Sequence, residues 1–249
     1  MFKRLSKIAG IFLLLAFMVV TLAFTAVEYS HAPCRNIEII YKPDDKITVD
    51  KEVIRKIINQ ADKEIIGKTF DRINAAQLET EVEKNASVQR ADIFEVVAKD
   101  TGAYKGILTV KVKYREPILR VITSKESYYL DETGHRFPVS NTSPAHVLVA
   151  TGAIKEEFAK TELLPCIRFI AEDDFWSAQI EQVYVDDNGE VTLTPLIGAH
   201  LIELGSVDNY QEKFRNMKAF YKEVLVKNNW NKYKTISLKF KNQVIAKRK

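Results

Sequence analysis

From Ile8 to Val27 the chain reads IAGIFLLLAFMVVTLAFTAV, a run without a single charged residue. At 1.5 Å per residue, roughly 20 apolar residues match the ~30 Å hydrocarbon thickness of a bilayer, and buried helices of soluble cores are shorter. The run predicts a membrane-spanning signal anchor over residues 8–28, with residues 1–7 as a short tail before it. A cleaved secretory signal is the alternative, but the apolar stretch is overlong for one, and Ala26 has Phe24 instead of a small residue two positions earlier. Lys3, Arg4 and Lys7 precede the run, whereas Glu28, His31 and Arg35 are the first ionisable groups after it. The positive-inside bias keeps that N-terminus in the cytoplasm and exports the rest, a single-pass type II topology in the inner (cytoplasmic) membrane with a periplasmic bulk.

With 249 residues, 46% hydrophobic and 28% charged, the exported part is large enough to bury a real core, as one large domain or two small ones. The net charge of +4 is mild and the basic residues are scattered except near the C-terminus, which argues against a nucleic-acid partner. Cys34 and Cys166 are the only cysteines, and export leaves two outcomes open, a disulfide or two buried thiols. His31, His135, His146 and His200 lack the i, i+4 pairing of a helical metal site. Asp186-Asp187-Asn188-Gly189 lacks the further oxygen ligands of a calcium loop and reads as a turn tip. Gly-x-Ser-x-Gly, His-Glu-x-x-His and Ser-x-x-Lys are absent from the sequence. The expectation is a non-enzyme with no catalytic residue, cofactor, metal site or small-molecule substrate.

Local patterns place elements along a first exported segment, residues 34–117. Ile37, Ile39 and Tyr41 alternate with Asn36, Glu38 and Ile40 as a strand, and Pro43-Asp44-Asp45 makes a turn. From Thr48 to Gln60, Val53, Ile54, Ile57 and Ile58 fall on one helical face, capped by Thr48 or Asp50. Asn74 followed by Gln77 starts a second helix as a capping-box variant, stapled by Ile73 and Leu78. Val88 to Ala98 and Leu108 to Tyr114 are strands joined at Asp100-Thr101-Gly102, and Arg115-Glu116-Pro117 ends the second of them.

This order, strand-helix-helix-strand-strand behind a membrane anchor, resembles a POTRA domain. The closing Arg115-Glu116-Pro117 is similar to the motif that the bacterial division proteins of the FtsQ/DivIB family carry there.

The second segment, residues 118–249, extends the resemblance. YYLDETGHRF, residues 128–137, reads as a hairpin and looks like the Leu-Asp-Gly-aromatic hairpin that follows the POTRA domain in that family. A strand over His146 to Val149 precedes a helix marked by Leu163, Leu164, Ile167 and Ile170, in which Pro165 is tolerable only in the first turn. Phe175 and Trp176 then read as core aromatics. Gln179–Val185 and Glu190–Leu196 pair across the Asp186 turn. A strand ending in Leu204-Gly205 leads to an amphipathic helix with Phe214, Met217, Tyr221 and Val224 on one face, and Lys213-Phe214 matches the family's pair near that helix's start. A final edge strand runs from Thr235 to about Ala246.

The expected fold class is thus α+β: one transmembrane helix, a POTRA-like β-α-α-β-β domain, then a mixed, mostly antiparallel β domain with helices. The FtsQ/DivIB resemblance implies a non-enzymatic divisome scaffold at the septum that binds single-span coiled-coil proteins of the FtsB and FtsL type, partly by strand addition to its last strand, with the POTRA-like segment docking other divisome proteins. Ile236, Ser237, Leu238, Lys239, Phe240, Lys241 and Val244 are then the candidate partner-binding residues, with Phe240 as anchor and Lys239 and Lys241 steering an acidic segment. Packing of Phe240 into the core is the alternative. Lys239 and Phe240 stand where the family has Arg and Tyr, and its more distal Trp has no counterpart near Arg248. Two other classes stand beside this reading. A POTRA-bearing chaperone or secretion-assembly factor would need a barrel for which too little chain remains, and an anchored periplasmic hydrolase would need a site assembled without a sequence motif.

Overall fold

A computed structural model of the chain describes residues 10–22, 31–42, 50–100, 103–139, 144–227 and 230–249. Residues 10–22 form α1, with every side chain exposed. Among the described residues no helix is long and apolar enough to cross a membrane. The predicted span Ile8–Val27 runs past both ends of α1 and so lies partly outside the described residues, as do the turns predicted at Pro43–Asp45 and Thr101–Gly102. From there the chain divides into two units, and the division falls between Tyr114 and Arg115.

The first unit holds β1 (Cys34–Ile40), α2 (Lys51–Ala61), a 3-10 turn (Phe70–Arg72), α3 (Ala75–Glu83), β2 (Val88–Asp100) and β3 (Ala103–Tyr114). Its sheet has the order β1-β3-β2, with β1 parallel and β2 antiparallel to the central β3. Asp50, not Thr48, starts α2: its Oδ1 accepts the Glu52 N–H at 3.0 Å. Ile54 and Ile58 are buried under that helix, but Val53 is 42% exposed, against expectation. At about 100° per residue Val53 falls beyond the rim of the stripe centred on those two isoleucines. Asn74 Oδ1 accepts the Gln77 N–H at 3.1 Å to open α3, and Ile73 and Leu78 are both buried as a staple requires. Gly106 lets β3 pass beneath Phe70, because a Cβ there would stand 2.6 Å from the Phe70 ring.

The second unit is built on nine strands: β4 (Pro117–Ile122), β5 (Ser127–Asp131), β6 (Arg136–Pro138), β7 (Leu148–Gly152), β8 (Ile180–Val185), β9 (Val191–Pro195), β10 (Leu201–Gly205), β11 (Tyr233–Ser237) and β12 (Ile245–Arg248). They form one mixed, mostly antiparallel sheet in the order β12-β11-β10-β9-β8-β7-β4-β5-β6. β4 lies in a stretch to which the sequence reading gave no element, yet it sits between β5 and β7 with Leu119 and Val121 buried.

α4 (Glu156–Phe158) runs through a π-helical stretch (Ala159–Leu163) into α5 (Leu164–Glu172). The Leu164 N–H bonds to the carbonyl of Ala159, five residues back. That wider turn lets Pro165, which has no N–H to donate, continue a helix it would otherwise break. Phe175 and Trp176 belong to a short helix, α6 (Asp174–Gln179), whose first N–H groups, on Phe175 and Trp176, bond to Asp173 Oδ1 at 2.9 and 3.0 Å. Trp176 is core as expected, whereas Phe175 is 36% exposed and lies edge-on to Trp176 at 4.8 Å.

The apolar core of this unit unites Leu119, Val121, Leu163, Ile167, Trp176, Val183, Leu193, Ile202 and Ile236 with Phe214, Met217 and Tyr221 of the last helix, α7 (Tyr210–Phe220), and its π-helical extension (Tyr221–Leu225). Two sequence motifs meet at the opposite end of the sheet. Arg115 of Arg-Glu-Pro donates to Asp131 Oδ2 at 2.9 Å, while Asp131 Oδ1 accepts from Thr133 N, Thr133 Oγ1 and His135 N at 2.9, 2.7 and 2.8 Å. Burial pushes the Asp131 pKa up, but the hydrogen bonds from Thr133, His135 and Arg115 outweigh it and hold the carboxyl below the usual range. Both cysteines are free and buried, and burial raises both thiols, Cys166 to about 12.

Candidate partner-binding edge

The last two strands owe their placement to the connection that precedes α7. β10 ends at Gly205, whose φ of +74° is a left-handed turn of the backbone that side chains resist. A Cβ at this position would also stand 3.0 Å from Lys239 Cγ. Lys213, one turn into α7, holds the bend: its Nζ donates to the carbonyls of Leu204 at 3.0 Å and Ser206 at 2.6 Å. Burial lowers the Lys213 pKa, and the Asp208 carboxylate works against that shift.

β11 then runs parallel to β10, and β12 returns antiparallel to β11. The closing strand expected as one piece from Thr235 to Ala246 is therefore two strands, and β11 is not an edge. Leu238 still donates its N–H to the Glu203 carbonyl at 2.8 Å, after which the chain turns. Asn242 adopts φ 58°, and Gln243 donates its N–H to the Phe240 carbonyl at 3.3 Å. Asparagine is one of the few residues that tolerates the left-handed region, so Lys241-Asn242-Gln243 was a readable turn signal that the alternation of Ile236, Leu238 and Phe240 masked.

This break sorts the candidate residues. Ile236, Ser237 and Leu238 are buried, at 0%, 9% and 1% exposure, and hold the strand in place instead of facing outward. Lys239, Phe240 and Lys241 stand exposed on the turn, with Phe240 at 57%, so the inward packing of Phe240 does not occur. Lys239 forms an ion pair with Glu190, whose hydrogen bond raises the lysine pKa. Val244 is half-buried against the core. The turn and the start of α7 enclose a groove of about 250 Å³, lined by Asp208, Glu212, Lys213, Phe240 and Asn242 among others.

The edge of the sheet is β12, which the residue-level expectation passed over. Lys249 donates its N–H inward to the Lys232 carbonyl at 3.2 Å. By the two-residue period of an antiparallel ladder, Ile245 and Lys247 point the same way, so the backbone groups of Ala246 and Arg248 face outward. Lys247 and Arg248 are exposed, and Ile245 is 47% exposed.

Comparison with known proteins covers this same region. A family described as "FtsQ/DivIB, C-terminal related" matches residues 116–247, from the start of β4 into β12. A curated relative, the cell division protein FtsQ of Salinibacter ruber (strain DSM 13855 / M31), is 28% identical over 162 residues, a match that spans 59% of this chain and 62% of the relative. The chain belongs to the FtsQ/DivIB family.

Proposed function

We propose that the chain is a non-catalytic bacterial cell-division protein, anchored in the inner membrane through Ile8–Val27 with its bulk exported, that recruits FtsB- and FtsL-type partners at the septum by strand addition to β12. The observation that carries this reading is a sheet in which β12 has no outer neighbour among the described strands and lies beside the exposed Phe240 and Lys241. Ala246 and Arg248 offer two donors and two acceptors, together worth ~2–6 kcal/mol at a net ~0.5–1.5 kcal/mol per bond before ordering costs. That is too little for a stable complex, so Phe240 and the groove beside α7 supply the side-chain anchor. Lys241, Lys247 and Arg248 favour an acidic segment and speed its encounter. The family membership supports the division role, and the uncharged 20-residue run after Lys3, Arg4 and Lys7 supports the anchoring.

The test is capture of an FtsB-type extracytoplasmic segment by the full chain. Ala246→Pro removes an outward N–H while sparing the inward ladder, and Phe240→Asp removes the anchor. Each is expected to weaken binding tenfold or more, and wild-type binding by both variants refutes strand addition at β12.

A further inference from the structure

His200, just ahead of β10, is one of four residues that four segments of the second unit bring to a single buried polar point. The others are Gln179 at the end of α6, Tyr221 at the start of the π-helical extension of α7, and Trp230 in the connection that leads to β11. His200, Gln179 and Tyr221 are 2%, 5% and 2% exposed. Gly198 folds the β9–β10 loop over the ring: its φ is +99°, and a Cβ there would stand 2.7 Å from His200 Nδ1 and 3.3 Å from the Trp230 carbonyl oxygen.

Donors and acceptors run through this cluster in one direction. Gln179 Nε2 donates to the Ile197 carbonyl at 3.2 Å, and the same amide acts on the Tyr221 hydroxyl oxygen as a donor. The Tyr221 hydroxyl has His200 Nε2, 3.2 Å away, as the acceptor for its own hydrogen. The imidazole is then the neutral Nδ1–H tautomer. Nδ1 is buried and makes no hydrogen bond of normal geometry with a described residue, so the ring is held from the Tyr221 side.

We infer that His200 is a proton-operated latch on the approach to the last two strands: neutral, it holds the β9–β10 loop and the Trp230 connection closed on Tyr221, and protonated, it opens both. The added proton goes to Nε2 and turns that atom from acceptor to donor. Tyr221 must then swing its hydrogen toward Gln179, Gln179 must present its oxygen, and the Ile197 carbonyl loses its donor. The imidazolium also meets no counter-ion. Burial lowers the pKa of the ring, the Trp230 carbonyl works against that, and no charged side chain among the described residues takes part. Of the groups that face it, Gln179 and Trp230 do not titrate, and burial raises the Tyr221 pKa, which keeps that phenol protonated. Trp230 lies edge-on to Tyr221 at 5.3 Å, and three residues later Tyr233 opens β11. Between them, the Lys232 carbonyl accepts the Lys249 N–H that follows β12. Release of Trp230 therefore reaches β11 and β12 first, whereas β8 and β9 lie beyond β10. The latch acts whatever partner β12 meets, and so goes beyond the function proposed above.

The test is hydrogen exchange of the full chain in detergent, read by mass spectrometry at pH 7.5 and 5.5 and corrected for the intrinsic rate at each pH. An open-state histidine pKa of ~6.5 limits the gain in opening over this interval to about tenfold. Segments 196–200, 230–237 and 245–249 are expected to open at least threefold more at pH 5.5, and His200→Gln to abolish the gain. A local opening exposes little surface, so ~1 M urea is expected to leave the rates of these segments nearly unchanged while it accelerates exchange in β8 and β9. If His200→Gln misfolds, nitrogen-15 NMR of the wild-type ring stands in for it, and is expected to show Nδ1–H with a bare Nε2 at pH 7.5. No gain at pH 5.5, a gain that survives in folded His200→Gln, a urea response equal to that of β8 and β9, or the Nε2–H tautomer overturns the latch.

Discussion

Asp131→Ala is the substitution through which the coupling of the two sequence motifs is best tested. The carboxylate is buried and accepts four hydrogen bonds, three from the β5–β6 turn and one from Arg115. Its removal strands the Thr133 and His135 N–H groups and takes the Asp131 carboxylate away from the Arg115 guanidinium, which is 18% exposed. Breaking a buried pair on one side costs ~3–5 kcal/mol. For a unit of this size 1 kcal/mol moves the midpoint by about 3 °C, so the expected fall in Tm is roughly 10–15 °C for the full chain. Asp131→Asn keeps the Oδ1 acceptor for the turn but turns an NH2 donor toward Arg115 and so loses that one hydrogen bond with the charge, and is expected to cost ~1–3 kcal/mol. Because the Asp131 pKa is held below its ordinary value, its stabilisation is full above about pH 4 and is lost as pH falls through the folded-state pKa. The gap between wild type and Asp131→Ala, followed by thermal unfolding from pH 7 down to pH 3, should therefore narrow only at the acid end. A fall in Tm under about 2 °C, or a gap that closes near neutrality, refutes the account.

Two further expectations concern buried titrating groups. His200, 2% exposed and bonded through Nε2 to the Tyr221 hydroxyl at 3.2 Å, has its pKa lowered by burial. The unfolded chain takes up this proton first, so stability is full above about pH 6.5 and declines as pH falls below it, and His200→Gln should flatten the pH 7.5-to-5.5 slope of Tm. The Cys166 thiol, pushed up to about 12 and buried, should resist alkylation at pH 8 in the native chain and react at an ordinary rate in denaturant, as mass spectrometry will read.

What the sequence disclosed follows from the range of the interactions involved. Helix periodicity and caps act within four residues, so Asn74 with Gln77, the Ile54 and Ile58 stripe and the β8–β9 hairpin could be read locally. β4 escaped because a six-residue strand, Pro-Ile-Leu-Arg-Val-Ile, carries a charge at its centre. Arg120 is only half-buried, on the side of the strand away from Leu119 and Val121, and the alternation is too short to declare itself. The break between β11 and β12 turned on one residue, Asn242, against an alternation that continued through Phe240. Carboxylates that close a strand edge from 8 and 14 residues away, as Glu83 and Glu79 do, leave no local pattern at all.

A bare strand edge invites unplanned pairing, and proteins blunt edges they do not use. By that standard the two sheets treat their edges unequally. β6 is three residues long, ends at Pro138, and carries Arg136 bound to Glu126 at 2.5 Å and Glu156 at 2.7 Å, a charged and proline-stopped border. β1 is covered by its own loop, and the start of β2 by two glutamates. Among the described residues β12 is closed by no proline, carboxylate or covering loop, and carries only the charges of Lys247 and Arg248. If closure of the start of β2 were incidental, removing it would be harmless. Glu79→Ala with Glu83→Ala frees the Ala91 and Ile93 N–H groups and bares the start of β2. The double variant is therefore expected to aggregate through the bared edge, seen as loss of the soluble fraction. If it stays as soluble and monodisperse as the wild type, the two carboxylates have no part in guarding that edge.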